Sequence, residues 1–239
     1  MIALCLQTCP MDLDIAMDLA KLICELEPGM RDSEFVLVYR KDCDIRAHKH
    51  FEKLAGMRFA RAYARMAYNH ETGWPGGSNM LAHSAFMVMN MLSQSGEVTS
   101  DGFLLFEPDC IPLQKGWIEL LAAEWEKTKA LGKEAFGHWH QQGDPETLHM
   151  NGNAVFSCTF IDRHPNILIG PSTMGWDFFY REHYIKLSRD SNLIFQHYNR
   201  YEMTQDEWEK VTKNGVRPAL FHGVKTEHGR MLARANLLA

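Results

Sequence analysis

Two carboxylates, Glu107 and Asp109, are separated by a single proline and directly follow an apolar run at residues 103–106. The run predicts a strand buried on both faces, and Pro112 prevents that strand from continuing as a regular central strand. Ligands of open α/β sheets bind outside the carboxyl ends of the strands. Carboxylate oxygens suit Mg²⁺ or Mn²⁺, which bind through one or two carboxylates together with substrate phosphates. The stretch therefore predicts a site for a divalent cation and a diphosphate.

A histidine and a lysine near the carboxyl end offer chemistry of the same kind. Residues 219–221 predict a short strand that ends in His222, and Lys225 follows three residues later. His222 is a candidate third ligand of the cation. Lys225 is a candidate diphosphate contact, because lysine meets phosphate as a compact charge. The alternative for His222 is a structural histidine that only makes hydrogen bonds.

Two segments in the second half of the chain offer groups for a hydroxylated ligand. Asn151 and Asn153 carry amides that can bind hydroxyl groups of a sugar, and Gly152 between them allows close approach. The alternative for this segment is a polar turn before a strand. Trp176 and Asp177 pair an aromatic ring with an acid, which suits a stacking platform beside a general base. The alternative for Asp177 is a helix amino-terminal aspartate.

Two turns could serve a nucleotide. The turn formed by Thr8, Cys9 and Pro10 follows the first strand, which is a natural place for a base or a ribose. Glycines around Gly76 precede a helix at residues 78–94 and would let an anion approach its amino terminus, although they also fit a purely structural turn and cap. The chain has neither G-x-G-x-x-G after its first strand nor G-x-x-x-x-G-K-[ST], so dehydrogenases and P-loop enzymes lose support.

The elements that must position these residues alternate between strands and helices. Apolar runs predict strands at residues 2–6, 35–39, 59–63, 103–106, 135–139, 154–156 and 219–221. Helical periodicity predicts helices at residues 11–27, 46–55, 78–94 and 117–125, and a capping box at Thr204 and Glu207 predicts a further helix ending near Gly215. We expect one α/β domain of Rossmann-like character, with a mixed, mostly parallel sheet flanked by helices.

Charge is distributed unevenly along the chain. The 239 residues carry a net charge of −5, yet residues 39–65 hold eight basic and three acidic residues, a net +5 that leaves −10 for the remainder. This basic segment is either an ordinary solvated face or a patch that binds a polyanion. The overall balance provides no global attraction to nucleic acid or to acidic membranes.

Cysteine usage and hydropathy predict a cytoplasmic protein. The six cysteines are scattered and contain no C-x-x-C pair, which is typical of buried, reduced thiols. The first residues lack the basic region and the long apolar run of a signal peptide. No segment approaches the roughly 18 consecutive apolar residues of a membrane span.

In this order, the segments resemble the GT-A glycosyltransferases, and the resemblance covers most of the chain. It rests on the first strand with its turn, Gly73-Trp74-Pro75 leading to Asn79, Glu107-Pro108-Asp109 as a variant of the D-x-D motif, Asn151-Gly152-Asn153, Trp176-Asp177, and His222-Gly223-Val224-Lys225. The departures from the usual acidic motif are Glu in place of the first Asp and the intervening proline.

The resemblance implies metal-dependent transfer of a sugar from a nucleotide-sugar donor, UDP- or GDP-linked, to a hydroxyl group. Asp109 and His222 would hold Mn²⁺ or Mg²⁺, and Asp177 would be the catalytic base of an inverting reaction. The implied donor-binding residues are Thr8, Cys9, Pro10, Trp74, Gly76, Asn79, Glu107 and Lys225, and the implied sugar- or acceptor-binding residues are Asn151, Gly152, Asn153 and Trp176. The nucleotide-sugar half would span about residues 1–112 and the acceptor half about 113–239.

The acceptor is the part that the sequence determines least. The chain is similar to compact glycosyltransferases of bacteria and bacteriophages, whose acceptors include surface glycans and hydroxylated DNA bases. The basic segment 39–65 fits a DNA acceptor whose target base is flipped out of the stack, in which case the protein would act in the cytoplasm of a phage host. A sugar-nucleotide nucleotidyltransferase and a non-catalytic module that binds polyanions or carbohydrates remain as alternatives.

Overall fold

The computed structural model describes residues 1–68, 72–141, 143–165, 173–196, 203–213 and 217–238. The strands are β1 (Ile2–Thr8), β2 (Arg31–Tyr39), β3 (Phe59–Met66), β4 (Gly102–Phe106), β5 (Cys110–Pro112), β6 (Ala135–His140), β7 (His149–Ser157), β8 (Ser188–Asp190), β9 (Ile194–Gln196) and β10 (Leu220–His222). The helices are α1 (Leu13–Leu26), α2 (Ile45–Ala55), α3 (Gly76–Gln94), α4 (Trp117–Ala130), α5 (Phe160–Arg163), α6 (Trp176–Phe179), α7 (Arg181–Leu187), α8 (Gln205–Lys213) and α9 (Glu227–Leu237).

The main sheet has the strand order β3-β2-β1-β4-β7-β6-β8. The first four of these strands are parallel, β7 is antiparallel to both of its neighbours, and β8 is parallel to β6. β1 and β4 lie in the interior of the sheet and are buried along their whole length, as continuous apolar runs require. The predicted Rossmann-like domain with a mixed, mostly parallel sheet is confirmed.

Helices cover both faces of this sheet and enclose two apolar cores. Leu4 and Leu6 of β1 point into a core formed with α1, α4 and α9. Ala3 and Cys5 point to the opposite face, where they pack with α3 and with Trp176 of α6. Because successive residues of a strand alternate between faces, the neighbouring strands of the sheet follow the same division.

A smaller sheet with the order β5-β10-β9 joins distant parts of the chain. β10 runs antiparallel to β5 and parallel to β9, so that His222 pairs with Cys110 on one side and Gln196 on the other. The main sheet supplies the acidic motif at the end of β4, and the smaller sheet delivers the late histidine beside it.

Strand β7 extends further toward its amino end than the apolar pattern predicts. Sequence periodicity places a strand at residues 154–156, whereas the strand begins at His149 because His149 and Met150 pair with His140 and Trp139 of β6. Residues 151–153 therefore lie inside a strand, and the alternative of a polar turn before the strand is wrong.

Other boundaries also differ from the predicted ones. β2 begins at Arg31 rather than at residue 35, because Arg31 and Glu34 already pair with Phe59 and Arg61 of β3. The buried carboxylate of Glu34 is satisfied by hydrogen bonds from Thr99 and Ser100. The predicted capping box is confirmed by reciprocal hydrogen bonds between Thr204 and Glu207 at the start of α8. The predicted end of that helix near Gly215 lies outside the described residues.

None of the helices in the described part of the chain combines the length and the apolar character needed to cross a lipid bilayer.

Candidate active site

The acidic motif lies at the carboxyl end of β4, as its sequence predicts. Glu107 follows the last residue of β4, and Asp109 directly precedes β5. The backbone N–H of Cys110 donates to the carbonyl of Glu107 at 3.1 Å, which closes a tight turn around Pro108. Because β10 pairs with β5, His222 lies beside this turn although it is distant in sequence.

The three predicted cation-site side chains converge. The Nε2 atom of His222 lies 3.1 Å from Oε2 of Glu107 and 3.1 Å from Oδ1 of Asp109. One ligand atom from each residue lies within 4.8 Å of the others, and this is the one such group of acidic, histidine or cysteine side chains among the described residues. Two carboxylate oxygens and an imidazole nitrogen fit a divalent cation with coordination positions left for phosphate oxygens.

The electrostatics of the cluster favour positive charge. Burial opposes protonation of His222, but hydrogen bonds and charges from Asp109 and Glu107 raise the pKa of this imidazole to about 10. Burial likewise opposes ionisation of Asp109, yet its hydrogen bond with His222 and the charges of His222 and Lys225 lower the pKa of the carboxyl. A proton on His222 balances part of the negative charge, and a divalent cation would balance it more completely.

The loop after β10 brings Lys225 to the same place. The backbone N–H groups of Gly223 and Val224 donate to the carbonyl of Asp109 at 3.1 and 2.8 Å. Gly223 has a φ of +111°, a conformation that favours glycine. The loop is thus fastened to the acidic turn, and the charge of Lys225 acts on the Asp109 carboxylate.

The Asn151-Gly152-Asn153 segment is a bulge in β7 directly beside the acidic turn. Between the pairs Gly137–Ala154 and Trp139–Met150, β7 places these three residues opposite the single residue His138 of β6. Bulges re-aim side chains next to active sites. Here the Asn151 Oδ1 atom accepts from both the backbone N–H and the Nδ2 atom of Asn153, at 2.9 and 3.0 Å.

Asp177 is held over this bulge. Its Oδ2 atom accepts from the backbone N–H of Gly152 at 3.2 Å, and its Oδ1 atom accepts from the backbone N–H of Phe178 at 3.0 Å. Its pKa is raised by burial first and by the negative charge of Glu107, against the opposing effects of His149 and these two hydrogen bonds. Asp177 therefore lies in the first turn of its short helix, whose N-cap is Gly175, so it is a helix amino-terminal aspartate as the alternative predicted, and it also lies within electrostatic reach of the acidic motif.

Trp176 and Asn79 support Asp177 from the second core. The Trp176 side chain is only 6% exposed and packs edge-on against Phe86 and Tyr184. The backbone N–H of Trp176 donates to Oδ1 of Asn79 at 2.9 Å, and Nδ2 of Asn79 donates to the carbonyl of Met174 at 2.8 Å. The indole is therefore part of the core, whereas the sequence suggested an open stacking platform.

The two turns that the sequence assigns to a nucleotide, Thr8–Pro10 and the segment around Gly76, lie at the same end of the sheet as the acidic motif. Their residues differ in solvent exposure. Thr8 is fully buried, and its hydroxyl and the backbone N–H of Cys9 both donate to Oδ1 of Asp12 at 2.7 Å. Pro10 is exposed. Trp74 is 80% exposed and directly precedes the cap of α3, whose first residue is Gly76.

Two site residues escaped sequence reasoning. Asp12 orders the turn after β1, although its position before a helix indicated only a favourable helix end. The Nδ1 atom of His149 lies 2.8 Å from the carbonyl of Thr147, and its ring lies 5.4 Å from that of Phe178. The charge of His149 lowers the pKa of Asp177. In the sequence, only the position of His149 two residues before Asn151 indicated that it lies near the site.

All five arginines of the basic segment have partners within the chain, and the partners of Arg40 and Arg46 lie in the segment itself. Arg40 pairs with Asp42, Arg46 with Asp44, and Arg65 with Glu97. Arg58 donates to the carbonyl of Cys24 in the last turn of α1, and Arg61 donates to the carbonyls of Gly96 and Glu97 beyond α3. Cations at helix carboxyl ends stabilise the helices, so these two arginines have a structural role.

Solved structures of glycosyltransferases share this fold. An active-site mutant of LgtC matches with a TM-score of 0.58 at 10% identity, over 99% of this chain and 95% of that one. Mouse xyloside xylosyltransferase 1 matches with a TM-score of 0.54 at 10% identity, over 93% and 97% of the two chains. GlyE of Streptococcus pneumoniae matches with a TM-score of 0.55 at 10% identity, over all of this chain but only 61% of GlyE.

No protein-family model matches the sequence, and no curated protein sequence matches it. The structural likeness, at identities far below those of close relatives, concerns the fold. The strand order, the acidic turn after β4 and these matches lead to one conclusion: the chain has the GT-A fold of glycosyltransferases.

Proposed function

We propose that the protein is a metal-dependent glycosyltransferase that moves a sugar from a UDP- or GDP-sugar to a hydroxyl group. The observation that carries the proposal is the convergence of Glu107, Asp109 and His222 at the end of β4, with Asp177 within electrostatic reach. Two carboxylates and an imidazole suit Mn²⁺ or Mg²⁺ on a GT-A fold.

In this proposal the cation supplies Lewis-acid stabilisation of the charge that develops on the departing diphosphate. Glu107, Asp109 and His222 hold it, and Lys225 meets a phosphate oxygen. Asp177 accepts the proton of the acceptor hydroxyl while that oxygen bonds to the anomeric carbon, and the bond to the diphosphate breaks with its electron pair on the diphosphate. Burial raises the pKa of Asp177, which brings its basicity closer to that of an effective general base.

The remaining donor and sugar contacts are assigned by position at the end of the sheet. We propose that Thr8, Cys9 and Pro10 line the nucleoside side through their turn, and that Trp74 and Gly76 border the donor at the start of α3. Asn79 and Trp176 act by holding Asp177, because their hydrogen bonds and packing lie within the chain. Asn151 and Gly152 face the transferred sugar from the bulge.

The proposed division into a donor half at residues 1–112 and an acceptor half at residues 113–239 has two exceptions. His222 and Lys225 belong to the second half in sequence, but we propose that they contribute to the cation and diphosphate site of the first. The six free cysteines fit a reducing compartment, so we propose a cytoplasmic location.

For the acceptor we propose a glycan hydroxyl. Within the basic segment 39–65, the guanidinium groups of Arg58 and Arg61 bind backbone carbonyls and that of Arg65 pairs with Glu97 outside the segment, so these three arginines already have partners other than DNA phosphates. A hydroxylated DNA base is the other acceptor that the sequence suggests.

The decisive experiment measures donor hydrolysis and sugar transfer with Mn²⁺ across UDP-, GDP- and CMP-sugars. We expect Asp109→Asn to lower hydrolysis by about 100-fold or more, since a cation contributes several kcal/mol to transition-state stabilisation. We expect Asp177→Asn to lower transfer by about 100-fold or more while donor binding persists. Asp162→Asn is the matched control, because that carboxylate binds amides at the far end of α3.

Each alternative outcome identifies a different error. Hydrolysis by Asp109→Asn at the parental rate would refute the cation assignment, and unchanged transfer by Asp177→Asn would remove it as the base. Release of pyrophosphate from a sugar phosphate and a nucleoside triphosphate would favour a nucleotidyltransferase. Donor binding without turnover in parent and variants alike would favour a non-catalytic module.

A further inference from the structure

Asn153 is one of the most deeply buried polar residues near the site, with 2% of its surface exposed. Its Oδ1 atom accepts from the backbone N–H of Glu107 at 2.8 Å and from the Sγ atom of Cys110 at 3.3 Å. Glu107 and Cys110 are the first and last residues of the acidic turn. A single amide oxygen therefore holds both ends of the loop that carries the two carboxylates.

The other side of the amide fixes its orientation. Nδ2 of Asn153 donates to Oδ1 of Asn151 at 3.0 Å, and the backbone N–H of Asn153 donates to the same oxygen at 2.9 Å. A rotated amide would turn its N–H groups toward the two donors of the acidic turn and its oxygen toward the oxygen of Asn151. The bulge thus leaves the amide one orientation that satisfies its partners.

Each of the three cation ligands depends on this contact. Glu107 is held through its own backbone N–H, and Asp109 lies within the turn that the contact spans. Cys110 pairs with His222 between β5 and β10, so its position also sets that of the imidazole. The Nε2 atom of His222 reaches both carboxylates at 3.1 Å only when the turn and β10 keep this arrangement.

We propose that Asn153 is a positioning residue of the cation site, which acts through Glu107 and Cys110 rather than by contacting a sugar. The inference rests on the cation site of the proposed function but not on sugar transfer. Outer partners that orient ligands typically change metal affinity by about 10- to 100-fold when they are removed. Asn153 differs in this from Asn151 and Gly152, for which sugar contacts are proposed.

The test is calorimetric titration of the intact protein with MnCl₂ alone, without nucleotide. We expect Asn153→Leu to weaken Mn²⁺ binding by about 10- to 100-fold. Asn90→Leu is the matched control, because Asn90 is also a buried amide but its Nδ2 atom donates to the carboxylate of Asp162, which does not belong to the cation site. We expect the control to bind Mn²⁺ as the parent does, even where the two variants lose similar thermal stability.

A conservative variant keeps the test decisive if Asn153→Leu does not fold. Asn153→Gln retains an amide oxygen for the donors of Glu107 and Cys110 without adding a charge, and we expect it to bind Mn²⁺ more tightly than Asn153→Ser, whose hydroxyl is too short to reach both. Equal binding by these two variants, or parental binding by Asn153→Leu, would overturn the proposal. So would an unchanged Mn²⁺ affinity combined with selective loss of affinity for a UDP-sugar over UDP, because that pattern marks a sugar contact.

Failure of the proposed function gives a different pattern. A parent protein that binds Mn²⁺ but transfers no sugar would refute glycosyl transfer and leave the role of Asn153 intact. A parent that binds neither Mn²⁺ nor Mg²⁺ would refute the cation site and this inference together.

Discussion

The position of the Asp177 carboxylate depends on Gly152, because a larger residue at position 152 would crowd its surroundings. Gly152 donates its backbone N–H to the carboxylate, and a Cβ atom at this position would lie 3.1 Å from the Trp176 ring and 3.7 Å from Oδ2 of Asp177. The bulge, the buried indole and the acid therefore fit together only if the middle residue is small. The geometry of the proposed base is set by packing beneath it as well as by its own hydrogen bonds.

We expect Gly152→Ala to lower sugar transfer by about 10-fold, because a misplacement of about 1 Å can cost about 100-fold and the shift needed here is smaller. The Trp176 ring, 3.1 Å from the new methyl group, must give way by a few tenths of an ångström and would carry Asp177 with it, whereas the distance of 3.7 Å to Oδ2 of Asp177 is an ordinary contact. The measurement is the rate of transfer alongside the affinity for donor, which should change little. Gly29→Ala is the control, since a Cβ there meets nothing within 4 Å. A transfer rate of Gly152→Ala equal to that of the parent would show that a small residue at position 152 is not needed to position Asp177.

The residues of the candidate site were predictable where they directly follow a predicted strand. Glu107, Asp109 and His222 each come directly after or at the end of an apolar run, so sequence alone places them at a sheet edge. The roles of Asn153 and Trp176 were not predictable, because they depend on the bulge register of β7 and on packing between distant segments. The amide and the indole looked like ligand contacts and turned out to have partners inside the chain.

At the scale of elements, α9 holds the cation-site loop against the main domain. The helix begins shortly after Lys225, and its Arg230 and Arg234 donate to the two carboxylate oxygens of Asp18 in α1, at 2.6 and 2.8 Å. A Cβ at Gly229 would lie 2.1 Å from a methyl group of Val224, so the helix also packs tightly on the loop that precedes it. Docking of α9 onto α1 thus helps to fix Lys225.

This docking predicts a pH dependence of stability. Burial opposes ionisation of Asp18, but the hydrogen bonds from Arg234 and Arg230 outweigh it and lower the pKa of the carboxyl. A lowered pKa stabilises the folded state above the unfolded value of about 3.9, and this contribution is lost as pH falls through the folded pKa. We expect Asp18→Asn to lower the free energy of unfolding by about 1–2 kcal/mol at pH 7.

Urea unfolding at several pH values checks this expectation. The difference between the parent and Asp18→Asn should narrow below about pH 4, where the parental carboxyl begins to gain a proton. Asp42→Asn, which breaks the exposed pair with Arg40, should have a smaller effect at pH 7 because solvent screens that pair. A difference that stays constant from pH 7 to pH 3 would mean that the ion pairs with Asp18 do not contribute.

Elements with long apolar patterns were predictable, and those built on polar contacts were not. α1, α3 and β4 follow from periodicity, and their bounds differ from the expected ones by a few residues at most. The start of β2 was hidden because Glu34 is a charged residue satisfied by Thr99 and Ser100 across the fold. Strand β8 consists of three polar residues, so no apolar run indicates it, and the short strand β9 was missed although two of its three residues are apolar.

At the scale of the whole molecule, the distribution of charge bears on the acceptor. The basic segment 39–65 has a net +5 in sequence, yet its arginines bind aspartates, glutamate and the carbonyls of helix ends. The net +5 already includes Asp42 and Asp44, so of these contacts only the pair of Arg65 with Glu97 lowers the charge further, while the carbonyl contacts of Arg58 and Arg61 engage their guanidinium groups within the chain. Its lysines, Lys41, Lys49 and Lys53, remain exposed.

We expect duplex DNA to bind weakly and with little dependence on salt. A protein that neutralises several phosphates loses affinity with a logarithmic slope of about −0.9 per contact. Fluorescence anisotropy with labelled DNA between 50 and 200 mM salt measures this slope, and transfer to a glycan hydroxyl should proceed across the same range. A steep slope that Lys41→Gln, Lys49→Gln and Lys53→Gln together abolish would instead support DNA as the acceptor.

The pairing of His222 with Cys110 has a consequence for biosynthesis. The two carboxylates are translated long before the imidazole, so a nascent chain on the ribosome has an incomplete set of ligands until residue 222 has emerged and β10 has joined β5. Metal loading would therefore come late, after the segment that ends in β10 is made. A bound ion shared between the acidic turn and β10 would oppose detachment of β10. Metal binding would therefore also stabilise the folded state of the completed chain.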